Sequence, residues 1–184
     1  FLTGNIQVGE PSNAGMVVDT SALDVDLPEL SQVGLVVTDL EQSMEQYADL
    51  LGVGPWSVFR FEPPELTDTT YQGEQTDQRW RLAIADTGTV DLELIEPLEG
   101  TNSYTAHLDQ HGPGLHHVAC FAFDEPAAVV EQFEASGVDL LQSGVYQGGG
   151  FWYLDTRDEL GTILEIVEPP EGGTEPDSTY DPTA

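Results

Sequence analysis

Two stretches of the chain repeat the same order of hydrophobic and polar positions. Each begins with a polar side chain, runs through a short apolar segment, passes an Asp, continues with apolar residues at helical spacing, and leaves at a Gly. The first stretch is QVGLVVTDLEQSMEQYADLLGVG, residues 32–54, and the second is HVACFAFDEPAAVVEQFEASGVD, residues 117–139. This pattern predicts a strand followed by an amphipathic helix in both places.

Both predicted helices carry start and stop signals. Thr38 and Glu41 are spaced as a capping box at the start of the first helix. In the second, Asp124 is the expected N-cap and Pro126 lies in the first turn. Gly137 ends the second helix, because Gly takes the left-handed conformation that often follows a last turn.

A similar apolar hexapeptide closes each half of the chain. Residues 92–97 read LELIEP and residues 164–169 read LEIVEP, which predicts a strand at both places. Between each helix and its hexapeptide there is room for two more strands, at about 55–62 and 78–86 in the first half and 138–146 and 149–155 in the second. Each half therefore reads β-α-β-β-β. The predicted fold class is α+β, with two tandem βαβββ modules forming a curved, mostly antiparallel sheet.

Four polar residues occupy matched places in the two modules. Gln32 and His117 open the first strands, while Glu93 and Glu165 lie on the last strands. Strand alternation places each Glu on a face with Ile or Val, where a carboxylate is costly to bury without a partner. If the modules pack about a pseudo-twofold axis, all four side chains converge on one point. This mixed oxygen and nitrogen set predicts a divalent-metal site, with the metal as the pairing charge.

The length of 184 residues fits one domain, or two small modules that share a core. We expect an irregular extension at 1–28, the first module at 29–100 and a connection at 101–114. The second module is expected at 115–168, followed by an acidic disordered tail at 169–184 that is rich in Pro and Gly.

The charge of the chain is extreme, with 34 acidic residues against 4 basic ones and a net charge of −30. This argues against binding of nucleic acid or an anionic membrane. The hydrophobic content of 39% argues against disorder. We interpret the acidity as halophilic adaptation to a salt-rich cytosol, because at ~1 M salt the screening length falls to about 3 Å.

The remaining composition favours a cytoplasmic protein. There is no transmembrane run and no clear signal peptide. The lone Cys120 can form no internal disulfide and is expected to be a small buried hydrophobe. Arg79 and Arg81 alternate on one strand and share a face, where they either bind a substrate carboxylate or phosphate or form local salt bridges.

These residues resemble the vicinal oxygen chelate superfamily, which includes glyoxalase I, methylmalonyl-CoA epimerase, extradiol dioxygenases and bleomycin-resistance proteins. The resemblance covers about residues 30–168, and HGPGLHHVA at 111–119 is similar to the epimerase branch. It implies metal ligation by Gln32, Glu93, His117 and Glu165. The epimerase pattern usually has His where this chain has Gln32, and Gln at that position occurs in glyoxalase I. The ion is Zn, Ni, Co, Mn or Mg, with its identity left open.

The resemblance implies a metal-dependent epimerase or isomerase that removes a proton next to a carbonyl. Glu165, on the more apolar face, is the expected base, and Glu93, Glu62 or Glu65 the opposing acid. The substrate would be a small acyl thioester or 2-oxo compound. A glyoxalase-type lyase acting on a thiol hemithioacetal and a non-catalytic binding protein remain alternatives. An extradiol dioxygenase is disfavoured, because Gln32 replaces one of the two histidines of its iron site. Whether the protein forms a homodimer is left open.

The other histidines are expected outside the site. His116 alternates with His117 and should face the opposite way, as a loop or packing residue. His107 and His111 lie in the connection between the modules and are expected on the surface or at a pocket rim.

Overall fold

The computed structural model describes residues 18–182. Eleven strands and four helices form within this range. The strands are β1 (Gln32–Val36), β2 (Trp56–Phe61), β3 (Leu66–Tyr71), β4 (Glu74–Gln75), β5 (Arg79–Asp86), β6 (Asp91–Glu99), β7 (Gly114–Cys120), β8 (Leu140–Tyr146), β9 (Gly149–Leu154), β10 (Ile163–Glu168) and β11 (Ser178–Tyr180). The helices are α1 (Leu40–Leu51), α2 (Ser103–His111), α3 (Pro126–Ser136) and α4 (Arg157–Leu160).

The strands form one mixed sheet in the order β11-β2-β5-β6-β1-β7-β10-β9-β8-β3-β4. The first module contributes β2-β5-β6-β1 and the second contributes β7-β10-β9-β8. Counted outward from the antiparallel β1–β7 pair, equivalent strands of the two modules therefore follow in the same order. Only β1–β6 and β7–β10 are parallel among the strand pairs of residues 18–182. The predicted tandem βαβββ architecture and its mostly antiparallel sheet are confirmed.

The sheet curls into a half-barrel. Phe61 on β2 and Tyr146 on β8 belong to strands far apart in the sheet, yet their rings stack with centroids 3.7 Å apart. The concave face carries a core cluster that includes Trp80, Ile95 and Tyr104. Alternation along each strand therefore sends one set of side chains into the half-barrel and the other outward.

The two long helices of the modules cover the convex face. Buried residues of α1 pack with β5 and β6, and those of α3 pack with β9 and β10. Both helices end at a left-handed glycine, Gly52 and Gly137. Cys120 is buried in the α3 cluster, as expected.

The N-caps differ from the sequence expectation. Asp39 caps α1 by accepting a hydrogen bond from the Gln42 backbone N–H at 2.9 Å, so the cap lies one residue after the expected Thr38. Glu125 occupies the N-cap of α3 and makes no side-chain capping bond, where Asp124 was expected. Pro126 opens that helix, and its fixed φ sets the start one residue later.

The hairpin β3–β4 and helix α2 were not expected from the sequence. The hairpin β3–β4 leaves the first module, and β3 pairs antiparallel with β8 of the second. The connection between the modules contains α2, which Asn102 caps by a capping box with Thr105. The hairpin thus adds two strands of the first half of the chain to the outer edge of the second module. Helix α2 packs against the central strands β6, β1 and β7.

The expectation of a disordered tail at 169–184 is wrong at β11. Strand β11 pairs antiparallel with β2, and Asp177 accepts a hydrogen bond from the Arg60 backbone N–H at 2.7 Å. Tyr180 packs against the cluster under α1. The Pro, Gly and acidic content of 169–177 concealed a short strand that covers the edge of β2.

Of the expected irregular extension, residues 1–17 lie outside the described residues. Residues 18–28 hold a single 3-10 turn, Thr20–Ala22, and no strand. The Asp19 backbone N–H donates a 2.8 Å hydrogen bond to the carbonyl of Ser136, which ties this segment to α3. No helix in the described part of the chain is long and apolar enough to cross a membrane.

Candidate metal centre and cavity

The four residues singled out from the repeat come together on the concave face. Their strands are neighbours in the order β6-β1-β7-β10, and Gly34 on β1 is paired with Glu93 on one side and His117 on the other. Gln32 lies two residues before Gly34 on β1, so the two share a face, and Glu165 lies on β10, the strand next to β7. All four residues belong to one chain and are no more than 6% exposed. The sequence therefore predicted the convergence of these residues correctly.

The imidazole of His117 lies between the two carboxylates. Its Nε2 is 3.3 Å from Glu93 Oε2 and 3.1 Å from Glu165 Oε2. Two ligands at right angles on an ion with bonds of ~2.1 Å lie ~3.0 Å apart, so this spacing fits a shared ion. Within residues 18–182, no group of three or more His, Cys, Asp or Glu side chains is placed so that it could hold a metal ion. The metal site therefore stays a prediction.

Several polar atoms at this point lack hydrogen bonds. His117 Nε2, Glu93 Oε2 and Gln32 Nε2 have no partner of acceptable geometry within the described residues. A buried polar group without a partner costs about 1–3 kcal/mol. The imidazole nitrogen of His117 and the carboxylate oxygen of Glu93 are ligand types that suit a divalent metal, whereas the amide N–H of Gln32 is not, so Gln32 would bind through its Oε1.

Burial and charge perturb the pKa values in this cluster. Burial alone lowers the pKa of His117, but the charge of Glu165 and the contacts with both carboxylates outweigh it and raise the pKa to about 9. Burial raises the pKa of Glu93, and the neighbouring His117 opposes this effect. In the absence of metal, the cluster therefore holds a proton on His117 at neutral pH.

A cavity of about 170 Å³ opens above the cluster. Gln32, Glu93 and Glu165 contribute to its wall, whereas His117 lies behind them and is fully buried. The rest of the lining is mainly apolar and aromatic, with Phe59, Phe61, Trp80, Leu82, Ile84, Tyr104, Phe121, Tyr146, Phe151, Tyr153 and Val167. The carboxylates therefore face a largely apolar space, in which charge interactions are strong.

Two tyrosines at the cavity wall were not identified from the sequence. The hydroxyls of Tyr104 and Tyr153 lie 2.8 Å apart in a buried hydrogen bond. Burial and then the nearby charge of Glu165 raise the pKa of each well above its usual value. Both phenols therefore keep their protons. No repeat signal marked Tyr104, because it lies on the unexpected helix α2.

The arginines expected to bind substrate do not line the cavity. Arg81 lies on the outward face of β5, where its Nη1 donates to Glu41 at 2.6 Å and its Nε donates to Glu96 at 2.9 Å. Arg79 pairs with Glu99. The neighbouring residues Trp80 and Leu82 take the concave face. The substrate-binding expectation is therefore wrong for this cavity, and the salt-bridge alternative is confirmed.

Other expectations near the site are also corrected. Glu62, expected as a candidate acid, forms an ion pair with Arg60 at 3.4 Å, and neither it nor Glu65 lines the cavity. His116 does not face away from His117, since their Nδ1 atoms are 3.0 Å apart. The register shifts between Gly34 and Leu35, so β7 carries an extra residue there and alternation fails. His107 and His111, by contrast, line a second cavity, in agreement with their expected place on the surface or at a pocket rim.

A family model for the Glyoxalase/Bleomycin resistance protein/Dioxygenase superfamily matches residues 31–154. The chain therefore belongs to this superfamily, the vicinal oxygen chelate proteins, as the resemblance implied. The match covers three of the four convergent residues and ends before Glu165.

Similar proteins agree with this family. An uncharacterized protein YqjC from Bacillus subtilis (strain 168) is 24% identical over 142 residues, which is 76% of this chain and 91% of that protein. A hypothetical protein BH1468 from Bacillus halodurans C-125 matches with a TM-score of 0.56 at 19% identity, over 80% of this chain and 98% of the other. Methylmalonyl-CoA epimerase from Mycobacterium tuberculosis matches at 0.51 and 24%, over 81% and 95%. At these identities the structures establish the fold.

Proposed function

We propose that the protein is a metal-dependent epimerase or isomerase that moves a proton on the carbon next to the carbonyl of a small acyl thioester. The observation that carries the proposal is the pair of buried carboxylates, Glu93 and Glu165, on either side of His117 at an apolar cavity. Structures with this fold include a methylmalonyl-CoA epimerase in complex with methylmalonyl-CoA. That neighbour supports the choice of a thioester.

A divalent ion suits this donor set. Gln32 would supply an amide oxygen, Glu93 and Glu165 carboxylate oxygens, and His117 its Nε2, while members of the superfamily generally use a divalent metal. When bound, such an ion supplies Lewis-acid stabilisation of an enolate oxygen. No thiolate takes part, so Zn, Ni, Co, Mn and Mg all remain compatible.

The two carboxylates divide the proton transfer between them in this proposal. Glu165 would take the proton from the carbon, and Glu93 would return one from the opposite side. Because metal ligands are deprotonated, each carboxylate would carry the transferred proton on the oxygen that does not bind the ion. The paired hydroxyls of Tyr104 and Tyr153 remain protonated and can donate a hydrogen bond to a substrate oxygen in the cavity.

Proton exchange provides the direct test of this activity. In D₂O, methylmalonyl-CoA incubated with the metal-loaded protein should gain one deuterium at carbon 2, as measured by mass spectrometry. Glu165→Gln should slow this exchange by roughly 10²–10⁴-fold. Glu131→Gln makes the same chemical change at an exposed position of α3 and should leave the rate unchanged.

Three outcomes would contradict the proposal. One is the absence of exchange with any 2-substituted acyl thioester, and another is exchange that survives Glu165→Gln. The third is conversion of a methylglyoxal–thiol hemithioacetal without thioester exchange, which would establish the glyoxalase-type lyase instead. Metal bound without turnover of either substrate class would favour a binding protein.

A further inference from the structure

A second cavity, of about 480 Å³, shares no lining residue with the first. Helix α2 contributes to both cavities: Tyr104 lines the first, while Ser103 and His107 line the second. The ring of His116 contacts the ring of Tyr104 with centroids 5.1 Å apart. Helix α2 and His116 therefore lie between the cavities. We call the second one the histidine pocket, defined by Ser103, His107, His111, His116, Arg157 and Thr162.

The described lining of the histidine pocket lacks the acidic residues that dominate the rest of the chain. Its described lining includes three of the four histidines and one of the four arginines, but no Asp or Glu. The chain as a whole carries 34 acidic residues, so an acid-free cavity of this size is a marked departure. Arg157 donates to Asp155 through Nε at 2.7 Å and Nη2 at 2.6 Å, which holds the guanidinium without using Nη1.

Two buried polar atoms of this lining are poorly satisfied. His116 is 3% exposed, and its ring interacts with the Ser103 backbone without a hydrogen bond of acceptable geometry from Nε2. Ser103 is 4% exposed and its Oγ lacks a partner among residues 18–182. Buried polar groups are rarely left unpaired, so the Ser103 hydroxyl indicates a polar ligand.

The tautomer of His116 follows from its contact with His117. The two Nδ1 atoms are 3.0 Å apart, so one of them must donate and the other accept. When His117 Nδ1 is the donor, His116 Nδ1 accepts, and His116 Nε2 carries the proton.

We propose that the histidine pocket binds the oxyanion of a small molecule, a phosphate or a carboxylate. The anion accepts hydrogen bonds from His116 Nε2, Ser103 Oγ and Arg157. Burial, followed by the charges of His111 and Arg157, lowers the pKa of His107, so that imidazole is neutral at pH 7 and does not repel Arg157. The volume exceeds that of a bare anion and leaves room for an attached organic group.

The test uses inorganic phosphate and succinate as probes of the full-length, zinc-loaded protein in 1 M KCl. Histidine ring ¹H–¹⁵N correlations report binding at His107, His111 and His116. We expect saturable shifts with at least one probe, and the probe that saturates identifies the anion class. Arg157→Gln should weaken this binding by about tenfold. Arg60→Gln is the matched control, because its side chain is 48% exposed against 47% for Arg157 and also pairs with an acid two residues away.

Several results would overturn the proposal. One is the absence of saturable shifts with both probes. Another is an equal loss of affinity in Arg157→Gln and Arg60→Gln. Zinc content is measured on the same samples. Zinc binding without anion binding refutes the histidine pocket alone. Anion binding by a protein that takes up none of Mn²⁺, Co²⁺ and Zn²⁺ refutes the metal centre, while the pocket then stands on its lining residues.

Discussion

The imidazole of His117 occupies the space that a side chain at position 34 would need. A Cβ placed on Gly34 would lie 2.0 Å from Cε1 and 2.4 Å from Nε2 of that ring. Gly34→Ala should therefore displace His117, lower the free energy of unfolding by about 1–3 kcal/mol, and weaken metal binding. Denaturant unfolding and calorimetric metal titration measure the two effects.

A double-mutant cycle supplies the control for Gly34→Ala. In a His117→Ala background the ring is absent, so adding the methyl group at position 34 should cost almost nothing. An equal cost in both backgrounds would mean that the substitution acts through the β1 backbone and not through the imidazole.

The pH dependence of stability tests the electrostatics of His117. Its pKa of about 9 in the metal-free fold lies above the ordinary value of 6.5. The stabilisation from its proton is therefore complete below pH 6.5 and is lost as the pH rises to 9, by roughly 3 kcal/mol. Urea unfolding with a chelator present should show this loss, and His117→Asn should remove it. An unchanged slope in His117→Asn would assign the effect to other groups.

Single residues show why the sequence predicted part of the site and not the rest. Alternation on regular strands placed Glu93 and Glu165 correctly, because each strand has one apolar face that must turn inward. It failed at His116, because an extra residue in β7 brings two consecutive side chains to the same region. Alternation also placed Arg79 and Arg81 correctly on one face of β5. That face points outward, because Trp80 between them packs inside the half-barrel.

At the level of elements, strand β11 closes the sheet on the first module. Tyr180 packs against the cluster under α1, whereas Thr179 is exposed. Tyr180→Ala should lower the free energy of unfolding by about 1–3 kcal/mol, or Tm by roughly 2–12 °C. Thr179→Ala is the matched control and should change Tm much less. Equal, negligible effects of both substitutions would show that β11 adds no stability to the fold.

The elements that escaped prediction share a cause. The β3–β4 hairpin is polar because β3 and β4 lie at the outer edge of the sheet, where few side chains are buried. Helix α2 lacks a clear apolar stripe, because both polar and apolar side chains of it are buried between the two cavities. Both depend on contacts between modules. Periodicity reports burial against one face only, so it does not reveal such contacts.

For the whole molecule, the net charge of −30 should make stability depend on salt. At about 0.01 M salt the Debye length is ~30 Å, comparable to the domain, and the acidic residues repel one another. We expect Tm to rise by more than about 5 °C between 0.01 and 1 M KCl, and a divalent metal to restore part of the loss at low salt. A Tm that stays flat over this range would refute salt adaptation as the reason for the acidity.

The central claim is that four side chains, two from each module, form one metal centre. Isothermal titration of the metal-free protein with Mn²⁺, Co²⁺ or Zn²⁺ tests it most directly. We expect one ion per chain for at least one metal. Each of Gln32→Ala, Glu93→Ala, His117→Ala and Glu165→Ala should weaken binding by about 10–100-fold or more, and Glu131→Ala should not. Binding that survives all four substitutions, or no binding of any ion to the intact chain, would contradict the account.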